Sequence, residues 1–509
     1  MKLLLPILLL LFLFSCADDP ASLILVQEDE FCDKIHRNDS LSIEAELAYY
    51  KEQLENQTGA YVLEDGGSAL VTRAWLCEYA EKSIDIQYFI FSTDNVGLIA
   101  CDYLVRAADR GVKVRIIVDD IMVDAGLHEI LMMDSHENID IKIYNPGTNL
   151  GKNVIQKIGK FSFDFEGANQ RMHNKTFIVD GKVVITGGRN VADEYFDYDH
   201  AYNFRDRDVL FMGTAVEQAT GSFDEFWEDK LCLDVNRLSH EEDASLADPE
   251  PFDMLHEYAC NPENFWPEVR ERIEQLPTAF RQMRMNRSIT WLDTLQFISD
   301  PPGKNPTNTL TGGGVTTDSL INLVIRAQHS IDIQTPYLIT TDLGKNLFAE
   351  AVIRGVKVRI LTNSLASTDN VEAFSGYQRD RAELLATGVE IYEFKPDAQI
   401  RKDMMTGELH ADSTRLPIFG LHAKSMVVDN HITVIGTFNL DPRSANLNTE
   451  CIAVLYSDDI AAKVNEQMEQ EFEGPNAWRI TTEFNPDHTV DLDKRLKTWT
   501  RKVVPKGVL

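Results

Sequence analysis

The chain has 509 residues, enough for more than one core, and 44% apolar with 26% charged residues is the composition of a globular protein without low-complexity tracts. Lys and Arg total 49 against 81 Asp and Glu, so the net charge is −32. That balance excludes broad, sequence-independent attraction to nucleic acid or to anionic lipid surfaces, but not a small cationic pocket.

At the N-terminus, Lys2 precedes an apolar run from Leu3 to Phe14, long enough for a secretory signal core and too short to span a bilayer. It ends at Leu13-Phe-Ser-Cys16, which resembles a bacterial lipobox with Cys16 as the lipidated residue; an ordinary cleaved signal with an incidental cysteine is the alternative. An acidic tether follows, then a predicted helix from Ser42 to Glu55. Among the remaining cysteines no spacing is of metal-binding type, and Cys232 with Cys260 is the pairing that loop length suggests.

The next segments recur. Ser83-Ile-Asp-Ile-Gln87 returns as Ser330-Ile-Asp-Ile-Gln334, and Gly111-Val-Lys-Val-Arg-Ile116 as Gly355-Val-Lys-Val-Arg-Ile360. These β-branched, alternating runs read as strands. Gly97–Arg110 and Gly344–Arg354 between them read as amphipathic helices. Offsets of 247 and 244 residues mean one duplicated α/β domain, expected to carry mainly parallel strands. Residues 231–300 break the pattern and read as an insertion shaping a cleft entrance or as a plain linker, with Glu268–Arg287 helical. The last sixteen residues gather Lys494, Arg495, Lys497, Arg501, Lys502 and Lys506 around Leu496, Trp499 and Val503. They read as a solvated helix or as a membrane-surface contact.

The most informative repeat is chemical. His173-Asn-Lys175…Asp180…Gly187…Asn190 and His422-Ala-Lys424…Asp429…Gly436…Asn439 share the spacing H-x-K-x4-D-x6-G-x2-N, 249 residues apart. On a strand, His and Lys two residues apart project to one face. Asp180-Gly181 then signals a tight hairpin, and Asn190 and Asn439 can donate to phosphate oxygens. Two imidazoles and two ammonium groups facing each other can stabilise a five-coordinate phosphorus without a metal. One histidine attacks to form a phosphohistidine; the other protonates the leaving alcohol and activates the incoming one. The candidate catalytic sets are therefore His173, Lys175, Asp180 and His422, Lys424, Asp429. Within them Asp180 and Asp429 fall at the turns, at odd spacing from the lysines, which suits scaffolding or orientation. A nucleophilic histidine needs an acceptor behind its ring, and Asp206 and Glu450 are the candidates.

These paired motifs resemble the phospholipase D superfamily over nearly all of the chain after residue 60. Arg171-Met-His-Asn-Lys, Gly187-Gly-Arg-Asn190, Asp193-Glu-Tyr-Phe196, Ser299-Asp-Pro-Pro-Gly-Lys304, Thr362-Asn-Ser364 and Asp441-Pro-Arg-Ser-Ala-Asn446 are similar to the third bacterial class of cardiolipin synthase. The resemblance implies two phospholipase D-like α/β sandwich domains with the active site at their interface. Its layout here is a signal peptide at 1–15, tether and helix at 16–60, a first domain at 61–230, the helical insertion or linker at 231–300, and a second domain at 301–509. It implies phosphatidyl transfer to phosphatidylglycerol, no metal or other cofactor, and His173 as nucleophile with His422 as acid/base. Expected partners are membrane phospholipids (phosphatidylglycerol, phosphatidylethanolamine or cardiolipin) and, through the lipid anchor, the membrane surface of the bacterial cell envelope. No nucleic-acid partner is expected, and a monomer suffices because one chain carries both motifs. The alternatives are a phospholipase D-type hydrolase, a nuclease (disfavoured by charge), and a catalytically silent surface-binding lipoprotein.

Overall fold

The computed structural model describes residues 41–122, 127–147, 170–238, 250–275, 281, 288–305, 311–405 and 417–509. Cys16, the signal segment and the tether to residue 40 lie outside the described residues. The helix expected from Ser42 is two short ones, Ile43–Ala48 and Lys51–Asn56, and Ser42 caps the first by accepting from Ala45 N–H.

Each half is a sheet with helices. In the first, nine described strands run across the sheet in the order Thr290–Leu292, Thr58–Leu63, Asp208–Gly213, Val183–Gly187, Thr176–Val179, Ser83–Tyr88, Lys113–Asp119, Ile139–Tyr144 and Cys232–Asp234. In the second, eight follow the same order from Leu295–Ser299 through Cys451–Tyr456, Ile432–Gly436, Ser425–Val428, Ser330–Gln334, Lys357–Asn363 and Glu390–Phe394 to Ala477–Arg479. The extra edge strand comes from the segment read as insertion or linker, which supplies Cys232–Asp234 and Thr290–Leu292 to one sheet and Leu295–Ser299 to the other. Of the stretch Glu268–Arg287, Pro267–Glu274 is helical.

The expectation of mainly parallel strands is corrected. Only Ser83–Tyr88, Lys113–Asp119 and Ile139–Tyr144, with their counterparts, pair in parallel; every other pairing within the two large sheets is antiparallel. The reason is local. Parallel pairing needs a crossover, which the helices Asn95–Asp109 and Leu127–Asp134 provide, whereas the tight turn at Asp180-Gly181 forces an antiparallel hairpin.

Strand alternation divides the interior into three cores. Phe177, Val179, Val183 and Ile185 face the first half's outer helices, while Ile178 and Val184 face inward. There they join Val427, Ile435 and Ala453 of the second half in one continuous core. Both faces of each hairpin are thus buried, and the inner core sets the two motif hairpins against each other. No described helix is long and apolar enough to cross a membrane.

The pairing of Cys232 with Cys260 does not occur: Cys232 is a buried free thiol and Cys260 is disulfide-bonded. Loop length says how cheaply two ends can meet, not where the fold places them.

Candidate active site

The hairpin turns show how the motif is held. Asp180 and Gly181 have φ of 54° and 61°, and Asp429 and Asn430 have 54° and 52°. Such left-handed pairs fit the strand twist of a tight hairpin turn and favour Asp, Asn and Gly. The Asp180 carboxylate accepts from the backbone N–H groups of Lys82 (2.7 Å) and Ser83 (3.0 Å). Asp429 does the same with His329 (2.6 Å) and Ser330 (2.9 Å). Both aspartates therefore pin the hairpin to the start of the neighbouring strand, half-exposed and at the end of the hairpin away from His and Lys. This is the scaffolding role that their place at the turns suggests.

The regular strands begin at Thr176 and Ser425, just after Lys175 and Lys424, so the motif His and Lys residues sit on extended approaches rather than within the strands. What holds these approaches is the other half. Met172 bridges Thr449, with Thr449 N–H donating to Arg171 O and His173 N–H to Thr449 O. Ile418–Leu421 pairs with Tyr202–Arg205, and His422 N–H donates to Arg205 O at 2.8 Å.

The carboxylates are exchanged in the same way. His173 Nδ1 lies 2.8 Å from Glu450 Oε2, and His422 Nδ1 lies 2.6 Å from Asp206 Oδ2. Asp206 and Glu450 occupy equivalent places, each just before the strand that pairs with its own hairpin. The shorter Asp206 is packed against Gly188, where a Cβ would come within 2.1 Å of its carboxylate. At the place of Gly188 the second half has Thr437, whose hydroxyl donates to Glu450 at 2.5 Å.

Asp206 alternates with Arg205 and Arg207, whose side chains leave by the opposite face. Arg205 meets Glu471 and Glu64, both at 2.6 Å, and Arg207 meets Glu64 at 2.8 Å and Gln334 at 2.6 Å. This buried network ties the halves together behind the site.

All four motif side chains are nearly inaccessible: His173, Lys175, His422 and Lys424 retain 7%, 1%, 5% and 4% exposure. Lys175 Nζ donates to His173 O at 2.8 Å. Lys424 Nζ donates to His422 O at 2.6 Å and stands 2.8–3.0 Å from the ring nitrogens. Burial, reinforced by Lys175 and Lys424, pushes His173 down to about 4 in spite of Glu450. Burial and the adjacent Lys424 take His422 to about 3. Lys175 falls to about 7 through burial and repulsion from Lys424, and burial takes Lys424 to about 8. Burial would raise Asp206 and Glu450, but the neighbouring imidazoles and lysines outweigh it and hold both carboxylates below their usual range. The cross-influence of each lysine on the other half's histidine places the two motifs in one electrostatic site.

Asn190 is buried, and its Oδ1 accepts from Ile90 N–H at 3.1 Å. The Asn439 Oδ1 is buried without a hydrogen-bond partner among the described residues. Sequence reading missed the aromatic walls: Phe89 meets the His173 ring edge-on at 5.0 Å, and Tyr195 and Phe204 lie 5.0 and 4.6 Å from that of His422. Tyr195 stands in Asp193-Glu-Tyr-Phe196, but no spacing in the sequence marks Phe89 or Phe204.

With Nδ1 of each ring taken by a carboxylate, Nε2 is the nitrogen left to react. The arrangement presents two oriented imidazoles and two cations in a dry site, which suits attack on a phosphodiester.

Comparison with known proteins agrees. The family model described as cardiolipin synthase, PLD-like domain, matches residues 76–227 and again 320–473, once in each half. A protein of Escherichia coli (strain K12) named cardiolipin synthase C is 32% identical over 436 residues, which cover 84% of this chain and 87% of the relative. An uncharacterized protein of Helicobacter pylori (strain ATCC 700392 / 26695) is 33% identical over 425 residues, covering 81% and 80%. The crystal structure of a phosphatidylserine synthase from Haemophilus influenzae Rd KW20 superposes with a TM-score of 0.57 over 91% of this chain and 99% of that one. At 13% identity this likeness concerns the fold alone. The chain belongs to the phospholipase D superfamily, in the family described as cardiolipin synthase, PLD-like domain.

Proposed function

We propose that the protein transfers phosphatidyl groups between membrane phospholipids through a phosphohistidine, with cardiolipin as its product. The observation that carries this reading is the exchange of carboxylates, which aims Nε2 of both histidines from opposite halves into one buried cationic site. His173 Nε2 attacks phosphorus; the P–N bond forms as the P–O bond to the leaving alcohol breaks. His422 Nε2 supplies the proton that the leaving oxygen needs. The incoming phosphatidylglycerol hydroxyl returns a proton to His422, its oxygen bonds phosphorus, and the P–N bond breaks. The free site keeps both imidazoles neutral, which suits the nucleophile; the negative charge of a bound phosphodiester favours protonation of His422 and so loads the acid. Lys175 and Lys424 stabilise the equatorial oxygens.

A membrane substrate is supported by the C-terminal helix Leu492–Arg501, where Leu492, Leu496 and Trp499 are 76%, 60% and 66% exposed. They form one row at helical spacing among lysines and arginines, a pattern suited to lying in a lipid interface. With the lipobox-like Cys16 we read the protein as exported and anchored at the cell envelope.

The test is to incubate purified protein with labelled phosphatidylglycerol or phosphatidylethanolamine, with and without alcohol acceptors, and to identify the lipids by mass. Cardiolipin is expected. Phosphatidic acid alone would make the protein a hydrolase, and no turnover under any condition would make it a binding protein.

A further inference from the structure

The two halves share a scaffold, but at one place they are filled differently. In the first half, the space between the helices Gly66–Tyr79 and Asn95–Asp109 and the strand Ser83–Tyr88 is reduced to a remnant of about 40 Å³. Arg73 fills it: its guanidinium donates to Tyr88 Oη at 3.1 Å, pairs with Asp208 at 2.8 Å and lies 5.5 Å from the Phe196 ring. The register of the repeat places Leu320 where Arg73 stands, Thr335 for Tyr88 and Ala445 for Phe196. Three large side chains are thus exchanged for smaller ones. The result, between the helices Val315–Arg326 and Asp342–Ile353, is a cavity of about 430 Å³. That is within the roughly 300–1,000 Å³ of small-molecule sites.

Its walls are largely aliphatic and aromatic, including Val324, Leu347, Phe348, Met426 and Ile452. Leu343, also in the wall, is 56% exposed, so the cavity reaches solvent. Lys424 lines it too, and Lys424 is the ammonium beside the His422 ring. An apolar channel therefore starts at the cation expected to hold the phosphate. The insertion's helices Glu250–Ala259 and Pro267–Glu274 pack over the corresponding helices of the first half, so the open version is the second half's own.

We propose that this cavity seats one acyl chain of the phospholipid whose phosphate is bound at Lys424. The inference rests on the phospholipid reading above and deepens it: the donor is gripped by a hydrocarbon tail as well as by its phosphate, and that tail by the second half alone. An empty apolar wall of this kind gains free energy in proportion to the area that a chain covers. The occupant's chemistry follows from the lining: Lys424 is its one basic residue among the described residues, Asp318 and Asp441 also border it, and most of the wall is hydrocarbon, which matches a phosphate with a single alkyl tail.

The test uses the full-length protein and a series of n-alkyl phosphates from butyl to dodecyl, titrated calorimetrically. Affinity is expected to rise with each seated methylene, approaching fourfold per methylene at full burial, from ~0.8 kcal/mol per buried CH₂. Ala445→Phe, which restores the first half's filler, and Leu347→Trp, from another wall, each flatten that rise. They leave butyl phosphate binding unchanged and weaken dodecyl phosphate at least tenfold. Affinity independent of chain length in the wild type, or a rise that both variants retain, overturns the proposal. Because binding is read without turnover, a chain-length dependence that the variants abolish would stand even if no phospholipid product formed. Product formation without that dependence would remove the pocket and keep the enzyme.

Discussion

Two loops, one in each half, present the histidines by different means. In the first half Asp119 accepts from Met172 N–H at 2.8 Å and forms a fully buried ion pair with Arg171. In the second half its counterpart is Asn363, which accepts from Leu421 N–H at 2.8 Å and donates to Leu421 O at 2.7 Å. There Gly420 stands in place of Arg171, and a Cβ on it would run into the Tyr202 hydroxyl. One presentation is ionic and the other neutral, yet both deliver the histidine to a carboxylate of the opposite half. The lesson is that duplication kept the placement of the motif histidines while the side chains that hold these two loops diverged.

The largest expected effects separate the two histidines. His173→Ala abolishes transfer of labelled phosphatidyl groups to the protein, with activity reduced on the order of 10⁴-fold or more. His422→Ala reduces turnover by roughly 10²–10⁴-fold and leaves trapped phosphoenzyme, detectable as acid-labile label. Label trapped in the first variant and absent from the second would exchange their roles. A smaller effect tests the packing behind the carboxylates. Gly188→Ala pushes Asp206 away from His422, and a displacement of about 1 Å lowers kcat by roughly 10²-fold with an unchanged circular dichroism spectrum. Thr437→Val, which removes the hydroxyl that donates to Glu450 and accepts from Cys451 N–H, costs less; a larger loss from Thr437→Val would mean that the two carboxylates are not equivalent supports.

The ionic and neutral presentations differ in stability. Arg171→Met leaves Asp119 charged and buried, which costs about 3–5 kcal/mol in denaturant unfolding. Asn363→Leu leaves backbone groups unpaired for about 1–3 kcal/mol. Equal losses would show that the charge on the first loop adds nothing. The mildest test is pH. Lys175 and Lys424, near 7 and 8 in the free site, lose their charge as pH rises, so kcat/KM falls on the alkaline side of neutrality. A bound phosphate anion favours the charged lysines, so the alkaline limb of kcat lies at higher pH than that of kcat/KM. The reverse order would remove the lysines from phosphate binding.

Much of this was legible because it is local. The spacing located both hairpins, and Asp180-Gly181 announced its own turn by residue preference for positive φ. Asp206 and Glu450 could be named as ring partners, but which histidine each meets depends on how the halves face each other, and no local pattern encodes that. The sheet direction was misread because the alternating strands and helices from Ser83 to Tyr144 are only one part of a sheet otherwise built of hairpins. The filler Arg73 and the hollow opposite Leu320 were invisible for a related reason. Both residues look like ordinary helix positions until the repeat is laid over itself in three dimensions.

The exchanged carboxylates also govern how such a fold can be divided. A chain cut between the halves yields two fragments, each with a histidine that lacks its ring partner and a carboxylate with no ring to hold. Neither fragment alone is expected to turn over, and activity is expected to return when the two are mixed. By the same logic a single repeat of this fold is expected to need a second copy of itself to orient even one imidazole, because each ring meets its carboxylate across the two halves.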